Sequence, residues 1–141
     1  MGSFLIFPLL AISVVLFAIL TITGIGSGDD GSWFTIVVAE LPLVQDRWTV
    51  TFGDLFIVGS LGLLFIELLR STQTGTDSLI NHVLSFITFV IALLLFILAP
   101  GFGNSVFFML VLMTCMDLVA GFIVTTVTAR RDFGVAEGVI R

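Results

Sequence analysis

A chain of 141 residues that is 58% hydrophobic, 11% charged and has a mean hydropathy of +1.26 lies far outside the composition of a soluble domain, so its first partner is the lipid bilayer. The formal charge of -5, with five basic residues that are all arginine and no basic patch, excludes nucleic acid as a partner. One cysteine and one histidine cannot form a disulfide or a zinc, haem or iron-sulfur centre within one chain, so no metal and no cofactor is expected.

The first apolar run covers residues 4–23, inside a charge-free segment of residues 1–28. A spanning helix needs roughly 17–25 such residues. The segment lacks the basic start and small-residue cleavage site of a signal peptide, so the helix is expected to be retained. Ile6 stands where an N-myristoylation signal needs Ser or Thr, and no lipid anchor is implied.

The next 30 or so residues are too long for a plain connector and are expected to be folded. Residues 32–39 are rich in Trp, Phe, Thr, Ile and Val, and residues 48–52 alternate large apolar side chains with threonine. Both patterns predict strands, with Pro42 and the charged Asp46 and Arg47 in the turn between them. The resulting hairpin, residues 32–52, would lie outside the membrane with Trp33 and Trp48 at headgroup level, where indole rings prefer to sit. Gly28-Asp29-Asp30-Gly31 offers oxygen ligands for calcium, but two adjacent aspartates lack the spaced further ligands, and a solvated turn is the better reading.

Within this segment Thr49-Val50-Thr51-Phe52-Gly53-Asp54 differs by one residue from a potassium-channel selectivity filter, T-V-G-Y/F-G-D. A filter presents successive carbonyls from glycine conformations that a residue with a Cβ enters at a cost, and Thr51 occupies the first of those positions. No apolar pore helix precedes it and no vestibule loop follows. A strand running into a helix, with Asp54 as N-cap, fits the residues better.

The second helix is expected over residues 54–69, about 24 Å long. The apolar sequence of residues 83–116 exceeds one span, and Pro100-Gly101-Phe102-Gly103-Asn104 breaks it. That predicts a third helix over residues 79–99, a fourth over 105–128 and a tail over 129–141. Arg70, Arg130, Arg131 and Arg141 gather at one side, whereas Asp29, Asp30, Glu40 and Asp46 gather at the other with Arg47. Since cytoplasmic ends collect arginine, both termini should be cytoplasmic.

Ionisable groups at helix depth must be paired, neutralised or functional, because each costs roughly 2.5–3.5 kcal/mol on insertion scales. Glu67 and Asp117 qualify, and counting along helices of one direction places both about 18–20 Å below the outer surface. Ser85 on the antiparallel third helix falls at the same level, with His82 one turn nearer the cytoplasm. Ser60, Leu64, Glu67 and Ser71 share one face of the second helix, and Thr114, Asp117, Gly121, Thr125 and Thr128 share one face of the fourth. Gly59, Ser60, Gly62 and Gly121 are small enough to let helices approach closely, and the simplest bundle turns these stripes inward.

A cluster of Glu67, His82, Ser85 and Asp117 reads either as a proton or cation relay with His82 as the exit group, or as a knot that sets helix packing. The structural reading outweighs the relay, because the first helix reads as apolar and no polar chain leads outward. Enzymatic chemistry is not expected: Ser85 and His82 share one helix, and no glycine-rich turn exposes the serine. The 15 phenylalanines read as lipid-facing and core packing rather than as a pigment or lipid groove.

Gly53-Asp54-Leu55, Phe65-Ile66-Glu67, Thr72-Gln73-Thr74-Gly75-Thr76, His82, Asp117-Leu118-Val119-Ala120-Gly121-Phe122 and Ala129-Arg130-Arg131-Asp132-Phe133 resemble a group of small, uncharacterised bacterial inner-membrane proteins with four predicted helices. The resemblance covers about two thirds of the chain and implies topology and location, with no activity attached. The expected fold is an all-α membrane protein: a four-transmembrane-helix bundle with a small extracytoplasmic β-hairpin between helices one and two. The expected role is a non-catalytic accessory or scaffolding subunit, packing against other membrane chains or as a homo-oligomer. The alternative is an oligomeric proton or cation conductor using Glu67 and Asp117.

Overall fold

The computed structural model describes residues 7–26, 31–71 and 76–138. Helix α1 covers Leu9–Thr23, a single 3-10 turn covers Trp33–Thr35, strands β1 and β2 cover Val37–Pro42 and Arg47–Thr51, and helices α2, α3 and α4 cover Phe52–Ser71, Thr76–Leu98 and Ser105–Gly138. The protein is thus mostly helical with one small antiparallel sheet. Three stretches, Phe52–Ser71, Ile80–Leu98 and Ser105–Val124, are long and apolar enough to cross a membrane. The Gly28-Asp29-Asp30-Gly31 candidate for calcium falls largely outside the described residues.

Each helix end has a local cause. Pro8 precedes α1 and offers no side-chain acceptor, while Gly24 closes it in the left-handed conformation (φ 65°), its N–H bonding to Leu20 O at 3.1 Å. Helix α2 starts two residues earlier than expected, because Thr51 caps it. The Thr51 Oγ1 accepts from Asp54 N–H at 3.3 Å, and the Asp54 carboxylate accepts from Thr51 N–H at 2.8 Å. Asp54 is therefore the third helical residue of a reciprocal capping box rather than the N-cap. Helix α2 has 20 residues, or about 30 Å. Asn104 caps α4 by accepting Phe107 N–H at 2.9 Å, after a turn through Pro100 and Gly101.

Helix α4 does not stop at residue 128. It runs for 34 residues, about 51 Å, because no proline follows Ser105 and Ala129, Arg130, Arg131, Ala136 and Glu137 all favour helix. Of the expected tail, residues 129–138 are the helix's continuation.

The hairpin also departs from expectation. Residues 33–35 form the 3-10 turn, the first strand begins at Val37, and Pro42 lies in β1 opposite Arg47. The turn is the four residues 43–46, closed by Leu43 N–H to Asp46 O at 2.8 Å. Proline is tolerated there because β1 has a free edge. The register shifts between Val37 and Ala39, where β1 carries an extra residue. Strand β2 pairs with β1 and leads directly into α2, so the filter-like sequence forms no ion-lining loop.

Helix α4 packs against both α2 and α3, and α1 lies across the other three. At the hairpin end, Phe17 of α1 sits among Trp33, Phe34, Phe56, Phe102 and Phe107, with ring centroids 4.7–6.2 Å away. Phe17 and Phe107 are fully buried. Gly53 makes the close approach possible: a Cβ there would lie 2.9 Å from both Phe34 O and Val106 Cγ2.

Candidate functional site: a buried polar cluster joining four helices

The opposite end of the bundle is where α1 and α3 begin and α2 finishes. The inward stripe of α2 comprises Ser60, Leu64, Glu67 and Ser71, all buried, and Thr114, Asp117 and Gly121 of α4 are buried as well. Glu67, only 1% exposed, reaches α1: its Oε2 accepts Leu10 N–H at 3.1 Å, and Leu9 N–H also bonds to the carboxylate. This contact answers a specific need. The first N–H groups of any helix lack intrahelical partners, and Pro8 supplies none from its side chain. An anion from α2 fills that role at the positive end of the α1 dipole.

The other carboxylate oxygen, Glu67 Oε1, receives Asn81 Nδ2 from α3 at 3.4 Å. One turn along α3, Ser85 lies beside Asp117 of α4, which is near enough to Glu67 for the two carboxylates to repel each other. The Ser85 hydroxyl nevertheless has no hydrogen-bond partner of acceptable geometry, and neither has Asn81 Oδ1. His82 lies near Asp117 and packs on Gly121, where a Cβ would overlap the imidazole ring. Gly121 is therefore a close-approach residue for α3, as its small size implied.

The structure thus brings Glu67, His82, Ser85 and Asp117 together. It adds two participants that the sequence reading passed over: Asn81, and the backbone at the start of α1. Asn81 stands four residues before Ser85, so spacing could have found it. The α1 backbone carried no side-chain signal. Helix α1 is also less apolar than it reads, for Ser60 Oγ donates to Ser13 Oγ at 2.9 Å, with both residues buried. Further along the same face of α1, Thr21 Oγ1 accepts from Trp33 Nε1 at 3.2 Å, and between them stands Phe17.

Several expected residues lie elsewhere. Gly59 and Gly62 point away from the bundle, with nothing within 4 Å of a built Cβ. The helical period explains this, since only one side of α2 can carry both Ser60 and Glu67. Trp33 is 6% exposed and belongs to the ring cluster, because the 3-10 turn tucks it under the hairpin; Trp48 is 53% exposed. An apolar recess of about 440 Å³ opens beside Trp33, lined by Leu16, Leu20, Ile36 and Phe52 among others. Among the described residues, no three His, Cys, Asp or Glu side chains group as a metal-binding set. No family model, curated protein or solved structure matches the chain.

Proposed function

We propose that this chain is a non-catalytic membrane subunit that spans the bilayer with four helices and packs against a further transmembrane helix, from another chain or a second copy. The observation that carries the reading is the outward pair Gly59 and Gly62 on α2. In hydrocarbon, side-chain burial gives little drive for helix association, and small residues matter because they let backbones approach. These two glycines are not used for packing inside the bundle, and Leu55, Val58, Leu61 and Phe65 around them supply the flanking surface. The polar cluster has the complementary task of holding the four helices in register so that this face is presented rigidly.

In the same reading both termini are cytoplasmic, the hairpin lies at the outer headgroup level with Trp48, and the membrane is a bacterial inner membrane. Gentle solubilisation followed by native mass spectrometry tests the association. A stoichiometric partner or dimer is expected, reduced by Gly59→Leu or Gly62→Leu with the fold intact; recovery only as a monomer rejects it.

The alternative is an oligomer conducting protons or cations through Glu67 and Asp117. It is favoured by the Ser13–Ser60 pair, which extends the polar line from Glu67 toward the hairpin end, and opposed by Phe17, which interrupts that line before Thr21. Flux in proteoliposomes that disappears in Glu67→Gln and Asp117→Asn would establish conduction.

A further inference from the structure

We propose that the polar cluster is a binding site for one alkali cation, held by oxygens of Glu67, Asn81, Ser85 and Asp117. The starting point is a pair of polar side chains without partners. Asn81 is 6% exposed and Ser85 is 2% exposed, yet Asn81 Oδ1 and Ser85 Oγ form no hydrogen bond. Buried polar atoms are almost always paired, and in a bilayer no bulk water is at hand to complete them.

Their placement directs both atoms to one site. Asn81 and Ser85 are one turn apart on the same face of α3. The Asn81 amide lies against Glu67, with Nδ2 at 3.4 Å from Oε1, and the Ser85 hydroxyl lies against Asp117. The two side chains that carry unpartnered oxygens therefore flank the cluster, the Asn81 amide against Glu67 and Ser85 beside Asp117. A cation there supplies what the cluster lacks: a positive charge between like charges and a partner for each orphaned oxygen.

The donor chemistry selects the class of ion. Amide, hydroxyl and carboxylate oxygens are hard ligands, suited to alkali and alkaline-earth ions rather than to zinc or copper. Charge then favours a monovalent ion. Glu67 Oε2 is already engaged by the Leu10 N–H at the positive end of the α1 dipole, which leaves less negative potential for an ion than two free carboxylates would offer.

The test uses the full-length protein in lipid nanodiscs and radioactive 22Na+ as the probe. Saturable binding of one Na+ per chain is expected, displaced by unlabelled NaCl and unaffected by choline chloride at equal ionic strength. Ser85→Ala should weaken binding by at least the roughly 10- to 100-fold that loss of even an outer-shell partner costs a metal site, and Asp117→Asn should abolish it. The melting temperature of Ser85→Ala in choline chloride, measured beside the parent's, separates lost binding from lost folding. A saturable rise in the parent's melting temperature in NaCl over choline chloride is the second readout. Absence of saturable 22Na+ binding by the parent, as for a site that takes only water, overturns the proposal. So does unchanged affinity in both variants.

Discussion

At the hairpin end, Phe17 meets Trp33, Phe34, Phe56, Phe102 and Phe107, and the Trp33 indole donates to Thr21. At the other end, Glu67 is tied to α1 and α3 by hydrogen bonds, and His82 nests on Gly121. The two regions solve one problem by different physics. Lipid tails are as apolar as phenylalanine, so ring packing gains dispersion and shape complementarity without a transfer drive, and it tolerates small shifts of one helix along another. A carboxylate that must meet two backbone N–H groups does not. In the proposed reading, the ring cluster holds the bundle together and the polar cluster sets the register of its helices.

Four substitutions would break or sharpen this contrast, each measured by denaturant unfolding in micelles or by melting in nanodiscs. The largest loss is expected for Phe17→Ala, about 3–5 kcal/mol for a truncated buried aromatic, without a change in helix register. Next comes Glu67→Leu, which orphans the Leu10 N–H at about 1–3 kcal/mol. Glu67→Gln keeps an acceptor and should recover most of that loss; if Gln and Leu were equally damaging, capping of α1 would not be what Glu67 does. Gly121→Ala places a Cβ against His82 Cγ at 2.9 Å, and overpacking of this kind costs roughly 1–3 kcal/mol while driving α3 from α4. Double electron resonance between labels on those helices would register the separation. The smallest effect belongs to Ser13→Ala, about 0.6 kcal/mol for one interhelical hydrogen bond, with the distance between labels unchanged. An equal loss for Ser13→Ala and Glu67→Leu would erase the distinction between a local bond and a register-setting one.

The helical parts of this protein are legible in its composition. Long apolar runs, the Pro100–Asn104 break and the Gly53-Asp54 junction mark three spans and the start of α2 to within a few residues, because apolar length and chain breakers are local properties. The inward stripes Ser60–Ser71 and Thr114–Gly121 are equally local, being set by the helical period. Errors arose where a nonlocal partner decided. Trp33 looked interfacial but turns inward because Phe17 and Thr21 meet it there, and Gly59 and Gly62, read as helix-packing residues, stand outside the packed face of α2.

What the sequence determined by itself is therefore the membrane class, three of the four expected spans and which face of α2 and α4 is polar. Only the tertiary structure decided that Glu67 serves α1, that Asn81 joins Glu67 across helices, and that the Gly59–Gly62 face is left outward. The physical reason is that a hydrogen bond across 57 residues depends on the packing of whole helices, which no spacing within one helix encodes.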